Sequence, residues 1–150
     1  MKLRNYRPVD CAEMAQMFFD SVHKVCARDY SEAERCAWAT GNVDLDAWDR
    51  RFRSTFTLIA VKDGEIVGFG NMDESGYLDM LYVHSEHQRE GIATAICDML
   101  EEHCPADEFT THASITAKPF FEQRGYRVVK AQQVECRGVR MTNFVMEKGR

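Results

Sequence analysis

The stretch Leu81-Tyr82-Val83-His84-Ser85-Glu86-His87-Gln88-Arg89-Glu90-Gly91-Ile92-Ala93-Thr94 decides how this chain is read. Its first residues end a buried strand near His84. A short polar loop follows, and a helix opens near Gly91 with its apolar stripe already running. That stripe passes through Ile92, Ala95, Ile96, Met99, Leu100 and His103 and stops at Pro105. Gly91 and Ala93 keep the first turn free of bulk, so a ligand can approach the backbone closely. The first N–H groups of a helix have no intrahelical partner, and the helix dipole adds positive character there. Such a turn suits phosphate or pyrophosphate, with Arg89 as a charged contact. The same small residues also suit a helix that merely packs tightly on a sheet. Neither a Walker pattern with Lys-Ser or Lys-Thr nor a G-x-G-x-x-G after a first strand is present.

Upstream, Thr55–Val61 is β-branched and aromatic, and Asp63-Gly64 is a hairpin turn into Ile66–Met72. Ser75-Gly76 turns again into Tyr77–His84, which completes an antiparallel meander. Downstream, Phe109–His112 reads as a short strand and Ala117–Gln123 as a helix ended by Gly125. Tyr126–Glu135 and Val139–Glu147 flank Arg137-Gly138 as a terminal hairpin. Near the start, Asp10 and Glu13 have capping-box spacing. Behind them Cys11, Ala15, Phe18, Phe19, Val22, Val25 and Cys26 mark the buried stripe of a long helix. Ser31 and Glu34 repeat the capping signal, and Leu45, Trp48 and Phe52 follow Asp44 as another short helix. These early helices are expected to cover one edge of the sheet. The whole reads as one α+β domain over 1–150, without repeats or linker.

Composition removes several function classes. The 150 residues carry a net charge of −5, which lacks the electrostatic attraction that nucleic-acid binders and anionic-membrane binders need. Hydrophobic residues make up 45% and charged residues 29%, an ordinary globular mixture. No segment approaches the roughly 18 apolar residues of a membrane span. The opening Met1–Pro8 has no apolar run after its positive charges, so a cytoplasmic protein is expected. Reduced thiols are then expected at the six cysteines rather than three disulfides. His84, His87, His103 and Cys104 lack a CxxC or HExxH partner pattern, so structural or solvated roles are expected and no metal. The eight methionines read as filler for core gaps.

The strand, then Gln88-x-x-Gly91-x-Ala93, then the amphipathic helix, resembles the acetyl-CoA-binding core of the GNAT superfamily of N-acetyltransferases. Nearly the whole chain follows the family's order of elements. Ala117–Tyr126 resembles its last helix and the aromatic strand that follows. The resemblance implies an α+β, α/β-sandwich-like fold. A central, mostly antiparallel mixed sheet of about six or seven strands would be flanked by helices and opened by a V-shaped cleft. It implies acetyl-CoA as co-substrate, its pyrophosphate held by Gln88, Arg89, Glu90, Gly91, Ile92, Ala93 and Thr94. The pantetheine arm would lie along Leu81, Tyr82 and Val83, with Phe120 and Phe121 packing on the coenzyme or the core. Tyr30, Trp38 and Phe56 fall where the family walls its acceptor pocket, though core is the plainer use of such aromatics. The function implied is N-acyl transfer to a primary amine of a small molecule or peptide, by direct attack in a ternary complex. A homodimer through the terminal hairpin is compatible.

Asp79 alternates with Leu81 and Val83, so all three are expected on one strand face. The family often has an acid at this spacing that takes the amine proton, usually through water. The plain readings of Asp79 are a solvated strand residue or a magnet for a cationic substrate. Two departures stand out. Where many relatives carry the tyrosine that protonates the leaving thiolate, this chain has Phe121. Three explanations are open: the thiolate leaves without an acid, Tyr82, Tyr30 or His112 supplies the proton, or catalysis is weak or lost. Glu90 sets a carboxylate beside the pyrophosphate site, so either it points to solvent or coenzyme affinity is modest. These departures motivate an alternative, a non-catalytic acyl-CoA-binding sensor on the same fold.

Overall fold

Seven strands form one sheet in a computed structural model that describes all 150 residues. They are β1 Lys2–Asn5, β2 Phe56–Lys62, β3 Glu65–Met72, β4 Tyr77–Val83, β5 Glu108–Ser114, β6 Arg127–Cys136 and β7 Val139–Gly149. Their order is β1-β2-β3-β4-β5-β7-β6, antiparallel everywhere except β4 beside β5. The helices are α1 Cys11–Val25, α2 Glu32–Trp38, α3 Leu45–Arg53, α4 Ile92–His103 and α5 Lys118–Gln123.

Two apolar layers sandwich the sheet. On one face Ile92, Ile96 and Leu100 of α4 meet Leu58, Val67, Leu78, Phe109 and Met146. On the other, Met14, Phe18 and Val22 of α1 and Phe52 of α3 meet Ile59 and Phe69. Burying each such side chain contributes about 1.5–3 kcal/mol, which is why α4 and α1 sit where they do. Helix α4 rides directly on β3, because a Cβ at Gly70 would stand 2.9 Å from Ile96 Cγ2. The early helices thus cover a face of the sheet rather than an edge. Buried Met14, Met17 and Ser21 carry the inward stripe of α1, while Ala15, Phe19 and Val25 are only half-buried.

The terminal capping signals separate into one that forms and one that does not. Ser31 and Glu34 close their capping box, at 3.1 and 2.8 Å. Asp10 does not cap α1. Its carboxylate accepts both prongs of the Arg4 guanidinium, at 2.8 and 2.9 Å, and Glu13 accepts the Ile66 amide instead. Arg4 belongs to β1, a short charged edge strand with no apolar alternation to announce it. Helix α5 ends in a Schellman pattern, with Tyr126 N–H donating to Phe121 C=O and Gly125 N–H to Glu122 C=O. All six cysteines are free thiols, four of them buried.

The feature that makes the site is a split. Strands β4 and β5 pair only at Tyr77–Thr110 and Leu78–Thr111, with Thr111 Oγ1 donating to Leu78 C=O at 3.0 Å. Beyond that point they diverge and leave a V.

Candidate functional site

The V opens toward the start of α4. Gly91 is its N-cap at φ +83°, a left-handed conformation that glycine adopts without steric cost, and no atom lies within 4 Å of where a Cβ would be. The first helical bond runs from Ala95 N–H to Gly91 C=O, so the amides of Ile92, Ala93 and Thr94 find no acceptor in the chain. On β4, the Met80 and His84 amides point toward β3, to Asn71 Oδ1 and Val67 C=O. Strand alternation then turns the Leu81 and Val83 amides toward the split. One cleft of about 360 Å³ joins these groups, lined among others by Leu81, Tyr82, Val83, Gln88, Arg89, Gly91, Ile92, Ala93, Thr94, Phe120 and Phe121.

Within the loop the side chains divide their work. Gln88 Nε2 donates to the carbonyls of Val83 and His84, at 3.0 and 3.2 Å, and so holds the loop shut onto the strand end. Arg89, in a left-handed conformation at φ +63°, is exposed. Glu90 does not line the cleft. It accepts from His87 Nδ1 and Lys62 Nζ, both at 3.2 Å, and these contacts hold its carboxyl below the ordinary value.

The opposite wall contains the main departure from sequence expectation. Strand β4 has a bulge at Asp79, because Asn71 pairs with Met80 but Met72 pairs with Leu78. Leu78, Leu81 and Val83 pack toward α4, whereas Met80 and Tyr82 pack toward α1. Asp79 does not share the face of Leu81 and Val83. Its carboxylate accepts from Asn71 Nδ2 at 3.1 Å and takes both Nε and Nη2 of Arg51 from α3. Asn71 is fully buried, and its amide also donates to Thr55 Oγ1 while its oxygen accepts the Met80 amide. Asp79 still lines the cleft, on the side shared with Trp38, Met80, Tyr82 and Cys26.

Two of the three expected acceptor-pocket aromatics are elsewhere. Tyr30 is buried; its hydroxyl donates to Thr142 C=O and accepts from Ile115 N–H, both at 2.8 Å. Phe56 packs on the α4 side with its ring 5.1 Å from that of His103. Tyr30 is a core group, and Phe56 is half-buried against the core beneath α4. Trp38 does line the cleft, edge-on to Tyr30. Tyr30 is also removed as a proton donor, since its proton is committed to a carbonyl. Phe121 is buried between Phe120 and Tyr126. Burial pushes the Tyr82 hydroxyl well up, and His112 is exposed at the cleft with its ring against Tyr77.

No local pattern along the chain singles out Arg51, Asn71, Ser21 or Cys26. Arg51 stands among Arg50 and Arg53 in the last turn of α3, and nothing local marks which one crosses to β4. Glu65, His84 and His87 do gather within 4.8 Å. However, His84 Nδ1 accepts the Glu86 amide at 3.0 Å, so its Nε2 carries the proton and faces Glu65 as a donor.

Comparison with known proteins fits this geometry. Residues 26–148 match the acetyltransferase (GNAT) domain family. The chain is 38% identical over 146 residues to an uncharacterized N-acetyltransferase of Escherichia coli K12, YafP, covering 97% of this chain and 94% of that one. It superposes with TM-score 0.95 on a GCN5-related N-acetyltransferase of Rhodopseudomonas palustris, at 34% identity over 99% of this chain and 95% of the other. The PaiA N-acetyltransferase of Thermoplasma acidophilum, solved in complex with coenzyme A, shares the fold at TM-score 0.78 and 16% identity, over 99% and 98% of the two chains.

Proposed function

The chain belongs to the GNAT acetyltransferase family, and on that premise we propose that it transfers an acetyl group from acetyl-CoA to a primary amine by direct attack. The observation that carries this reading is the unpaired first-turn amides of Ile92, Ala93 and Thr94 opening onto the same split that Asp79 faces from the other wall. The donor set fits a coenzyme A diphosphate: free backbone N–H groups at a helix start, open space at Gly91, and Arg89 exposed alongside. Gln88 contributes by shaping the loop. The free edge of Leu81 and Val83 suits the amide-bearing arm, and an N–H on that edge faces the carbonyl oxygen that gains charge.

Acetyl-CoA, as substrate, supplies an activated acyl group; the chain must supply a neutral amine held beside it. An alkylammonium has a pKa of about 10, so one proton must leave before attack. Asp79 takes that proton, directly or through one water. The nitrogen lone pair then forms the C–N bond, the C–S bond breaks, and its electron pair stays on sulfur. The nitrogen's second proton ends on the thiolate or in solvent. A thiol with a pKa of about 8.5 leaves as thiolate without a tyrosine, which suits Phe121. Holding both reactants in register supplies much of the acceleration, up to about 7–11 kcal/mol for ideal alignment.

The test follows free thiol release from acetyl-CoA across amino acids, polyamines, aminoglycosides and peptides. At least one acceptor is expected to give turnover, and Asp79→Asn should lower kcat by about 100-fold or more while calorimetry shows unchanged coenzyme A binding. Tight coenzyme binding with silence across the whole panel would replace this reading with the acyl-CoA-binding module. Two observations favour that second reading: the Arg51 fork closed on Asp79, and Phe121. No helix is long and apolar enough to cross a membrane.

A further inference from the structure

Asp79 lines the cleft, and Arg51, which stands outside the lining, closes on its carboxylate from α3. The two members of this pair are not equivalent. Asp79 is 12% exposed and is gripped from behind by Asn71, whose polar atoms are all engaged inside the sheet. Arg51 is 45% exposed, sits in the last turn of α3, and has no carboxylate partner other than Asp79. Its neighbour Arg53 pairs separately with Asp49. Arg51 is therefore the member that can swing away, and Asp79 the member that stays.

An ammonium that pairs with Asp79 competes with the guanidinium, because Arg51 and Asn71 already occupy three of the carboxylate's roughly four lone-pair sites. A simple amine would leave Arg51 unpaired beside a like charge. A molecule carrying an anion next to its ammonium exchanges one ion pair for two, with ammonium on Asp79 and the anion on Arg51. The planar fork that now matches the Asp79 carboxylate matches a substrate carboxylate equally well. Multiply charged cations find little here, because Asp79 is the only acidic residue lining the cleft. Next to it the wall is apolar, formed by Val25, Trp38, Met80 and Tyr82.

We infer that the acceptor is a free α-amino acid, or a close analogue, with an apolar or aromatic side chain, and that Arg51 binds its carboxylate while Asp79 binds its amine. This rests on the acetyl-transfer reading above and narrows it. The amine attacks as described there, and Arg51 forms no bond that changes in the reaction; it is a specificity-determining residue.

The experiment compares phenylalanine, leucine and methionine with phenylalaninamide, phenethylamine and spermidine, using acetyl-CoA and reading thiol release. The expected kcat/KM for the best amino acid exceeds that of its amide and of the decarboxylated amine by at least tenfold. Arg51→Gln should raise KM for the amino acid at least tenfold and lower KM for phenethylamine, because the competing guanidinium is gone. Arg51→Lys, which keeps the charge and loses the fork, should fall between. A purely structural Arg51 would weaken both acceptors together and lower Tm. Equal or better use of phenethylamine or spermidine by the wild type overturns the inference, as does a preference that survives Arg51→Gln. If no acceptor releases thiol, calorimetry of coenzyme-loaded protein separates the two claims. Phenylalanine binding that Arg51→Gln abolishes keeps the acceptor site and removes only the transfer. No amino-acid binding to the loaded wild type removes the acceptor site.

Discussion

The two walls of the cleft are built from different materials. The α4 wall is backbone: amides left unpaired by a helix start, a strand edge left unpaired by the split, and Gly91 in a left-handed turn. The α3 wall is side chains: Asp79, Arg51 and Asn71, brought together from a bulge, a helix end and a neighbouring strand. Backbone groups cannot be exchanged by point mutation, so that wall is sensitive to charge and bulk. Side chains are exchangeable, so the other wall can be altered residue by residue.

Charge tests the first wall most severely. Ala93→Glu puts a carboxylate on the first turn of α4 and is expected to weaken coenzyme A binding by about 100-fold, since like charges near 4 Å repel by about 4 kcal/mol at a protein surface before screening. Calorimetry reads this, and an unchanged affinity would move the anion site away from α4. The support beneath that wall is tested next. Glu101 of α4 is buried and accepts from Arg124, Lys148 and Tyr126. Burial works to raise its pKa, but the hydrogen bonds from Arg124 and Lys148 outweigh burial and hold it below the ordinary value. Its stabilisation is therefore complete above the ordinary carboxylate range and is lost as pH falls through the lowered folded value. Glu101→Gln should lower Tm at pH 7 by several degrees, and the gap from wild type should shrink below about pH 4. A gap that does not change with acid would mean the loss is packing rather than charge.

Smaller effects separate structural from catalytic aromatics. Tyr30→Phe removes a donor from Thr142 C=O and an acceptor from Ile115 N–H, for an expected loss of about 1–3 kcal/mol in denaturant unfolding. The pH–rate profile should not move; a shifted alkaline limb would return Tyr30 to the list of proton donors. The smallest effect is expected at Glu90, which is held by Lys62 and His87 outside the cleft. Glu90→Gln should change coenzyme A affinity by less than about threefold, as expected of a screened surface charge. A tenfold gain would show that its field reaches the diphosphate.

What could be read from the chain follows the same division. The Gly91 turn was legible because all its determinants are consecutive: a strand end, a short polar loop, small residues and an apolar stripe. The meander and terminal hairpin were legible from alternation and from Asp63-Gly64 and Arg137-Gly138. Strand β1 was not, since four residues ending beside charged Arg4 carry no period. The face of Asp79 was misread for a definite reason: alternation by two holds only in a regular strand, and the bulge opposite Asn71 inserts one residue. Tyr30 and Phe56 were assigned by position along the chain, whereas burial is decided by what packs around them.

The amino-acid sequence by itself determined the order of every strand and helix after β1, the family and the glycine turn that opens α4, because local spacing dictates period, caps and free amides. Only the tertiary structure decided the α3 wall. Arg51 lies 28 residues from Asp79 along the chain, and charge pairing across such a separation leaves no periodic trace. It appears only once α3 has docked on the sheet and a buried asparagine has fixed the carboxylate it meets.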